Sequence, residues 1–286
     1  MGTSNRSKGP GNNTPLIPSF LNDPPAQPAI PKNGSPIRPA SQPQTPASEQ
    51  PLPPIPQVPV DRRRFTSARS NFTRFARNRD EGSLRKAIGN YVTRGAGGRH
   101  GAMRRMGSSR QTARNLAGFI RSTKTVGTES ALRSLGLERC IGRPTEEVLQ
   151  ELLEVMCPDG GRIDEGIARE AFQNAIVDLA QQDLPPIEEL TVEQWNVLLI
   201  DFLVRSIELR LIADIGERSL DVPESIERFC QAEEVMRNVI YATVRDVVGD
   251  MLDRLSSISE SQLQRATDQA YERAWGAFEA FASDEQ

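Results

Sequence analysis

Sixteen of the chain's 21 prolines fall between Pro10 and Pro59. Each proline removes an amide donor and biases the preceding residue toward extended geometry, so neither a helix nor a sheet ladder can propagate through such a stretch. Residues 1–60 are also poor in apolar and charged side chains, which predicts a disordered, polyproline-like arm. Beyond it, Pro144 and Pro223 stand where helices open and Pro158 where one ends. The overall hydrophobic content of 37%, with 5% aromatic, is thin for 286 residues, and the arm accounts for the shortage. Most of its few large apolar side chains lie in PLIPSFL at 15–21 and PLPPIPQVP at 51–59. Pro-rich segments with spaced anchors of this kind dock into grooves at low entropic cost.

The net charge of −3 hides a strong asymmetry. Up to Arg143 the chain carries 24 Lys and Arg against 7 Asp and Glu, a balance of +17; from Pro144 onward it carries 11 against 31, a balance of −20. A basic segment fits phosphates or an acidic partner, and an acidic one fits solubility or a basic partner. The plain alternative is that the two segments attract each other. These boundaries divide the chain into an arm at 1–60, a basic helical region at 61–143 and an acidic helical bundle at 144–286.

The folded part reads as all-α, a multi-helix bundle. Phe65, Phe72 and Phe75 recur on one helical face, and Leu84, Ile88, Tyr91 and Val92 continue in a second short helix that stops near Gly95. A helix over about 111–121 turns Leu116 and Ile120 inward, and a short one follows near 130–137. Pro144 opens a helix striped by Val148, Leu149, Leu152, Leu153 and Met156. Another runs from about Asp164 to Gln182. Thr191 with Gln194 forms a capping box before a long apolar helix reaching about Ile212, and Ser259 with Gln262 forms another before a helix bearing Tyr271, Trp275, Phe278 and Phe281. Asp221 and Glu224 mark the start of the helix between them, which runs to about Leu255.

Few kinds of catalysis are open to these residues. The only histidine, His100, stands in GAGGRHGAMRRMG, which reads as a mobile glycine-rich loop, a poor platform for a Ser-His-Asp or Cys-His arrangement. Cys140, Cys157 and Cys230 are odd in number and widely spaced; they read as buried free thiols, without a disulfide framework or zinc spacing. DGGRIDE at 159–165 lacks the alternating acidic ligands of a calcium loop. Glu146–Glu147 and Glu233–Glu234 are adjacent on helices, point in different directions and read as solvated faces. No catalytic residue, metal site or cofactor is expected.

The glycine-rich stretch also fails the dinucleotide and P-loop patterns, because His100 stands where a third glycine is required and no Gly-Lys-Ser/Thr exists. What remains is an anion- or nucleic-acid-contacting loop of Arg94, Arg99, Arg104, Arg105 and Arg110, within a basic region at 62–121. No secretory signal is visible, and the most apolar run, VLLIDFLV at 197–204, is too short to span a bilayer. The expectation is a soluble, cytoplasmic protein without membrane contact.

Four stretches together are more particular than a generic helical adaptor: MGTSNRSKGPGNNTPLIPSF, FTRFARNRDEGSLRKAIGNYVTRGAGG, RRMGSSRQTARNLAGF and CPDGGRIDEGIAREAF. With them the chain resembles, over essentially its whole length, the QatB family, the B component of bacterial Qat anti-phage defence operons. The family is encoded beside an ATPase, a QueC-like enzyme of the 7-deazaguanine pathway and a TatD-like nuclease. The resemblance implies a non-enzymatic subunit of a defence complex whose arm is bound by the QueC-like partner, with the ATPase and the nuclease as further partners.

It also implies a use for the arm. QueC-like enzymes activate a carboxylate with ATP, and related defence enzymes join the deazapurine to a protein's N-terminal amine. Removal of Met1 would leave the amine of Gly2 unhindered, with a pKa near 8 that keeps part of it neutral and nucleophilic. Thr3 and Ser4 offer hydrogen bonds beside it, and Leu16, Ile17 and Phe20 can anchor the arm further out. The pattern for N-myristoylation is not met, because Arg6 stands where Ser or Thr is wanted. The rival reading is a nucleic-acid-binding module using 62–121.

Overall fold

The structure, a computed structural model, describes residues 63–157, 161–216, 226–253 and 257–282. The chain divides into two units, Met1–Pro56 and Gln57–Gln286. The first lies outside the described residues, as do Asp221 and Glu224. The second is built from ten α-helices among the described residues: α1 (Thr66–Asn78), α2 (Glu81–Asn90), α3 (Arg99–Arg104), α4 (Gly107–Val126), α5 (Thr128–Ser134), α6 (Thr145–Met156), α7 (Ile163–Ala180), α8 (Val192–Leu211), α9 (Ile226–Asp253) and α10 (Glu260–Ala280). No strand occurs among these residues. The all-helical expectation is met, and no described helix is long and apolar enough to cross a membrane.

Local chemistry sets the helix ends. Asp80 accepts from the N–H groups of Gly82 and Ser83 at 3.1 and 3.0 Å and so caps α2. The capping boxes read from the sequence both form: Thr191 Oγ1 accepts from Gln194 N while Gln194 Oε1 accepts from Thr191 N, and Ser259 with Gln262 repeats the pattern before α10. Between α1 and α2 the turn is made by Arg79, which adopts the left-handed conformation at φ 54°.

α8 is the central element, packed against α4, α7 and α9. Every residue from Phe202 to Glu208 is buried, so this helix has no solvent face along its middle. α10 packs against α2, α3, α4 and α9. Residues on both sides of Arg143 therefore belong to one hydrophobic core, which runs from Phe72, Phe75 and Ile88 through Leu116, Leu152 and Phe172 to Trp275 and Phe278.

Two expectations are corrected. The stretch read as a mobile glycine-rich loop holds α3 and the start of α4, because Ala102 and Met106 are buried and anchor it to the core. Of the three thiols, Cys140 and Cys157 are buried but Cys230, on α9, is exposed.

Candidate functional site

The arm residues Gly2, Thr3, Ser4, Leu16, Ile17 and Phe20 lie outside the described residues. The five arginines of the basic stretch are described, and the fold treats them differently.

Arg105, directly after α3, is held by Asp214, which sits in a π-helical turn (Ile212–Gly216) that extends α8. Its Nη2 and Nε reach the two sides of that carboxylate at 2.6 and 3.0 Å, and the hydroxyl of Tyr91 donates to the same group at 2.8 Å. From α1, Arg69 donates through Nη2 and Nε to the backbone carbonyl of Asp214 at 2.8 and 3.1 Å. Burial works against the Arg105 charge, but the hydrogen bond and the charge of Asp214 outweigh it, and the guanidinium pKa rises. Burial, and after it the Asp214 charge, push the Tyr91 hydroxyl well above its ordinary range, so it stays a donor.

An aromatic stack stands behind this node. Phe65 lies parallel to Tyr91 with ring centroids 5.3 Å apart, and Tyr91 meets Trp275 at 5.6 Å. The guanidinium carbons of Arg64, Arg105 and Arg69 lie 4.7, 5.4 and 5.8 Å from the Phe65 ring centre. One aromatic ring thus receives three cations. Gly95 makes the approach possible, since a Cβ there would fall 2.3 Å from Phe65.

A second node ties the start of α4 to α7 and α8. Ser108 donates its N–H and its hydroxyl to Asp164 Oδ2 at 2.9 and 2.7 Å, and Arg210 donates to Oδ1 at 2.8 Å. Arg210 is only 5% exposed. Nearby, Arg110 donates from Nε and Nη2 to Asp268 Oδ1 at 2.9 and 2.7 Å, with Arg114 at 3.7 Å from the other oxygen. Deeper in the bundle Glu208 accepts from Arg237 Nε at 2.9 Å, and Arg205 bridges Asp178 and Asp201. The Arg210–Asp164 and Arg237–Glu208 pairs, hydrogen-bonded and each with one member almost fully enclosed, are costly to break from one side.

Arg105 and Arg110 are thus occupied inside the fold, by carboxylates of the acidic segment. Arg99 is half exposed and meets Glu272 at 3.7 Å, with His100 at 3.8 Å from the same oxygen. Arg104 is exposed, and Arg94 is exposed with Nη1 3.5 Å from the hydroxyl of Ser67 on α1. His100 lies 65% exposed on α3, with no nucleophile in hydrogen-bond reach among the described residues. Burial pushes the Cys157 thiol up to about 11, so it is not a thiolate near neutrality. Among the described residues no three His, Cys, Asp or Glu side chains converge as a metal site.

Sequence reasoning missed Asp164, Asp214 and Asp268 as the partners of the basic segment, and Arg210 as the buried partner of Asp164. A signal was present: Arg205, Glu208 and Arg210 stand in the strongly apolar second half of α8, and a charge in such a position needs a partner.

With this geometry in place, comparison with known proteins adds one finding. The family model described as Qat anti-phage system associated protein QatB matches residues 97–278. No curated protein and no solved structure matches.

Proposed function

The chain belongs to the QatB family, the proteins associated with the Qat anti-phage system, and from that premise we propose that it serves the system as a non-catalytic, cytoplasmic subunit. Its arm is gripped by a QueC-like partner, and its helical unit docks to that enzyme or to the ATPase and TatD-like nuclease encoded beside it.

The observation that carries this reading is the Ser108–Asp164–Arg210 node. Ser108 and Asp164 come from RRMGSSRQTAR and GGRIDEGIARE, two of the stretches that mark the chain most distinctly, and Arg210 reaches the same carboxylate from α8. Ser108 and Asp164 thus serve the architecture of the fold. The resulting rigid helical unit would leave chemistry to its partners, with the arm as the part presented to them.

On this reading the neutral amine of Gly2 attacks the carboxyl carbon that the partner has activated with ATP. An amide bond forms, the activating nucleotide leaves and the amine proton passes to solvent. Thr3 and Ser4 hydrogen-bond beside the reacting amine, and Leu16, Ile17 and Phe20 hold the arm further along. Co-expression with the QueC-like neighbour, co-purification and mass spectrometry of the N-terminal peptide test it. The expected result is stable association that is lost on deleting residues 1–60, with added mass on Gly2. An unmodified Gly2 in an active system rejects the modification, and undiminished association of the truncated chain rejects the grip on the arm.

A further inference from the structure

The arginines of α1 fall into two sets. Arg69 turns inward to Asp214, and the buried face of the helix is completed by Ala68, Phe72 and Phe75. The outward face carries Ser67, Ser70, Arg74 and Arg77, which follow Arg63 at three- and four-residue spacing and therefore lie in one row. The helix has no acidic residue. At its start an open groove of roughly 660 Å³ is lined by Arg63, Arg64 and Arg94 with Ser67, Ser70 and Asn71, and among the described residues no carboxylate lines it.

We infer that this face binds the phosphate backbone of a nucleic acid. Guanidinium groups interleaved with hydroxyl and amide donors are the residue types that hold phosphate oxygens, and a row along a helix can follow successive phosphates. A protein partner is the weaker match, because the centre of a protein interface is apolar or aromatic and this row has no such side chain. Arg105 and Arg110 are not part of this face, since their guanidinium groups are bound to Asp214 and Asp268. Of the five arginines read from the sequence as phosphate ligands, Arg94 is the one that lines this groove. The inference goes beyond the proposed grip on the arm and does not depend on it.

Fluorescence anisotropy with a labelled duplex DNA and a labelled single-stranded RNA, titrated with the full-length protein at several salt concentrations, tests it. At least one probe is expected to bind with affinity that falls steeply as salt rises. Arg74→Glu with Arg77→Glu should weaken binding by about tenfold or more and lower the salt slope by about two. Both side chains are exposed, so circular dichroism should show an unchanged fold. The milder pair Arg74→Gln with Arg77→Gln gives the same direction of change, and Arg133→Glu on α5, an exposed arginine away from the row, leaves binding unchanged. No binding of either probe, binding that the double variants do not weaken, or binding only of an acidic polypeptide such as polyglutamate overturns the inference.

Discussion

Ser108 places two donors, its backbone N–H and its hydroxyl, on a single oxygen of Asp164, at 2.9 and 2.7 Å. The first residues of α4 are thereby fixed to the first turn of α7, although Ser108 and Asp164 lie 56 positions apart. Arg210 closes the other side of the same carboxylate from the buried face of α8.

Removing Asp164 leaves Arg210 charged and enclosed. Asp164→Ala should therefore destabilise the fold by about 3 kcal/mol or more, the range for stripping one partner from a buried ion pair. Arg210→Met should cost less, because Asp164 is 28% exposed and keeps both donors of Ser108. Urea denaturation followed by circular dichroism, comparing midpoints at equal slope, measures both; equal costs would mean that Arg210 is not the buried member.

Asp201 offers a pH-dependent test. Burial, with the charge of Arg237 opposing and that of Glu208 adding, pushes its carboxyl up to about 6 from 3.8. A raised pKa means that folding favours the protonated form, so this group's contribution to stability is complete below about pH 4 and is lost as pH rises through 6. Asp201→Asn imitates the protonated carboxyl and leaves Arg205 its contact with Asp178. The variant should be more stable than the parent at pH 7.5, by about 2 kcal/mol, and no more stable at pH 4. Melting curves at the two pH values decide it.

The capping boxes give a smaller and more local effect. Thr191→Ala and Ser259→Ala each remove an acceptor for the N3 amide. Each should cost about 1 kcal/mol. The caps lie far apart in sequence and share no bonded partner, so the double variant should cost the sum. Thermal melts of the three variants check both amount and additivity.

The sequence foretold those parts of the fold in which a short pattern suffices. The stripe from Val148 to Met156, the row of Phe65, Phe72 and Phe75, and both capping boxes are local, and each reappears as read. The charge asymmetry was also plain, but not its resolution. Nothing within a few residues of Arg105 or Arg110 announces Asp214 or Asp268, which are 109 and 158 positions away. Composition shows that charges must balance, and only the packing of α10 and the end of α8 against α3 and α4 decides which pairs form. Cys230 shows the same limit from the other side, since its exposure depends on which face α9 turns to its neighbours.

The glycine-rich stretch is where the local reading failed, and Gly101 shows why. A cluster of glycines beside arginines suggests backbone amides converging on phosphate, yet two different needs are met here. Gly97 and Gly98 take φ values of 81° and 84° and turn the chain sharply between α2 and α3. Gly101 lies inside α3, where a Cβ would fall 1.9 Å from the carbonyl oxygen of Ala96. It is there because the two segments touch backbone to backbone. Gly101→Ala must push α3 away from Ala96 and shift the buried Ala102 and Met106 that follow it, at a cost of about 3 kcal/mol, the upper part of the range for overpacking. Arg105 comes directly after α3, so the same displacement should lengthen its contact with Asp214 and make Tyr91 titrate closer to its ordinary range, as read by ultraviolet absorbance between pH 9 and 12. A variant that melts like the parent and leaves the tyrosine titration unchanged would show that α3 does not rest on this contact.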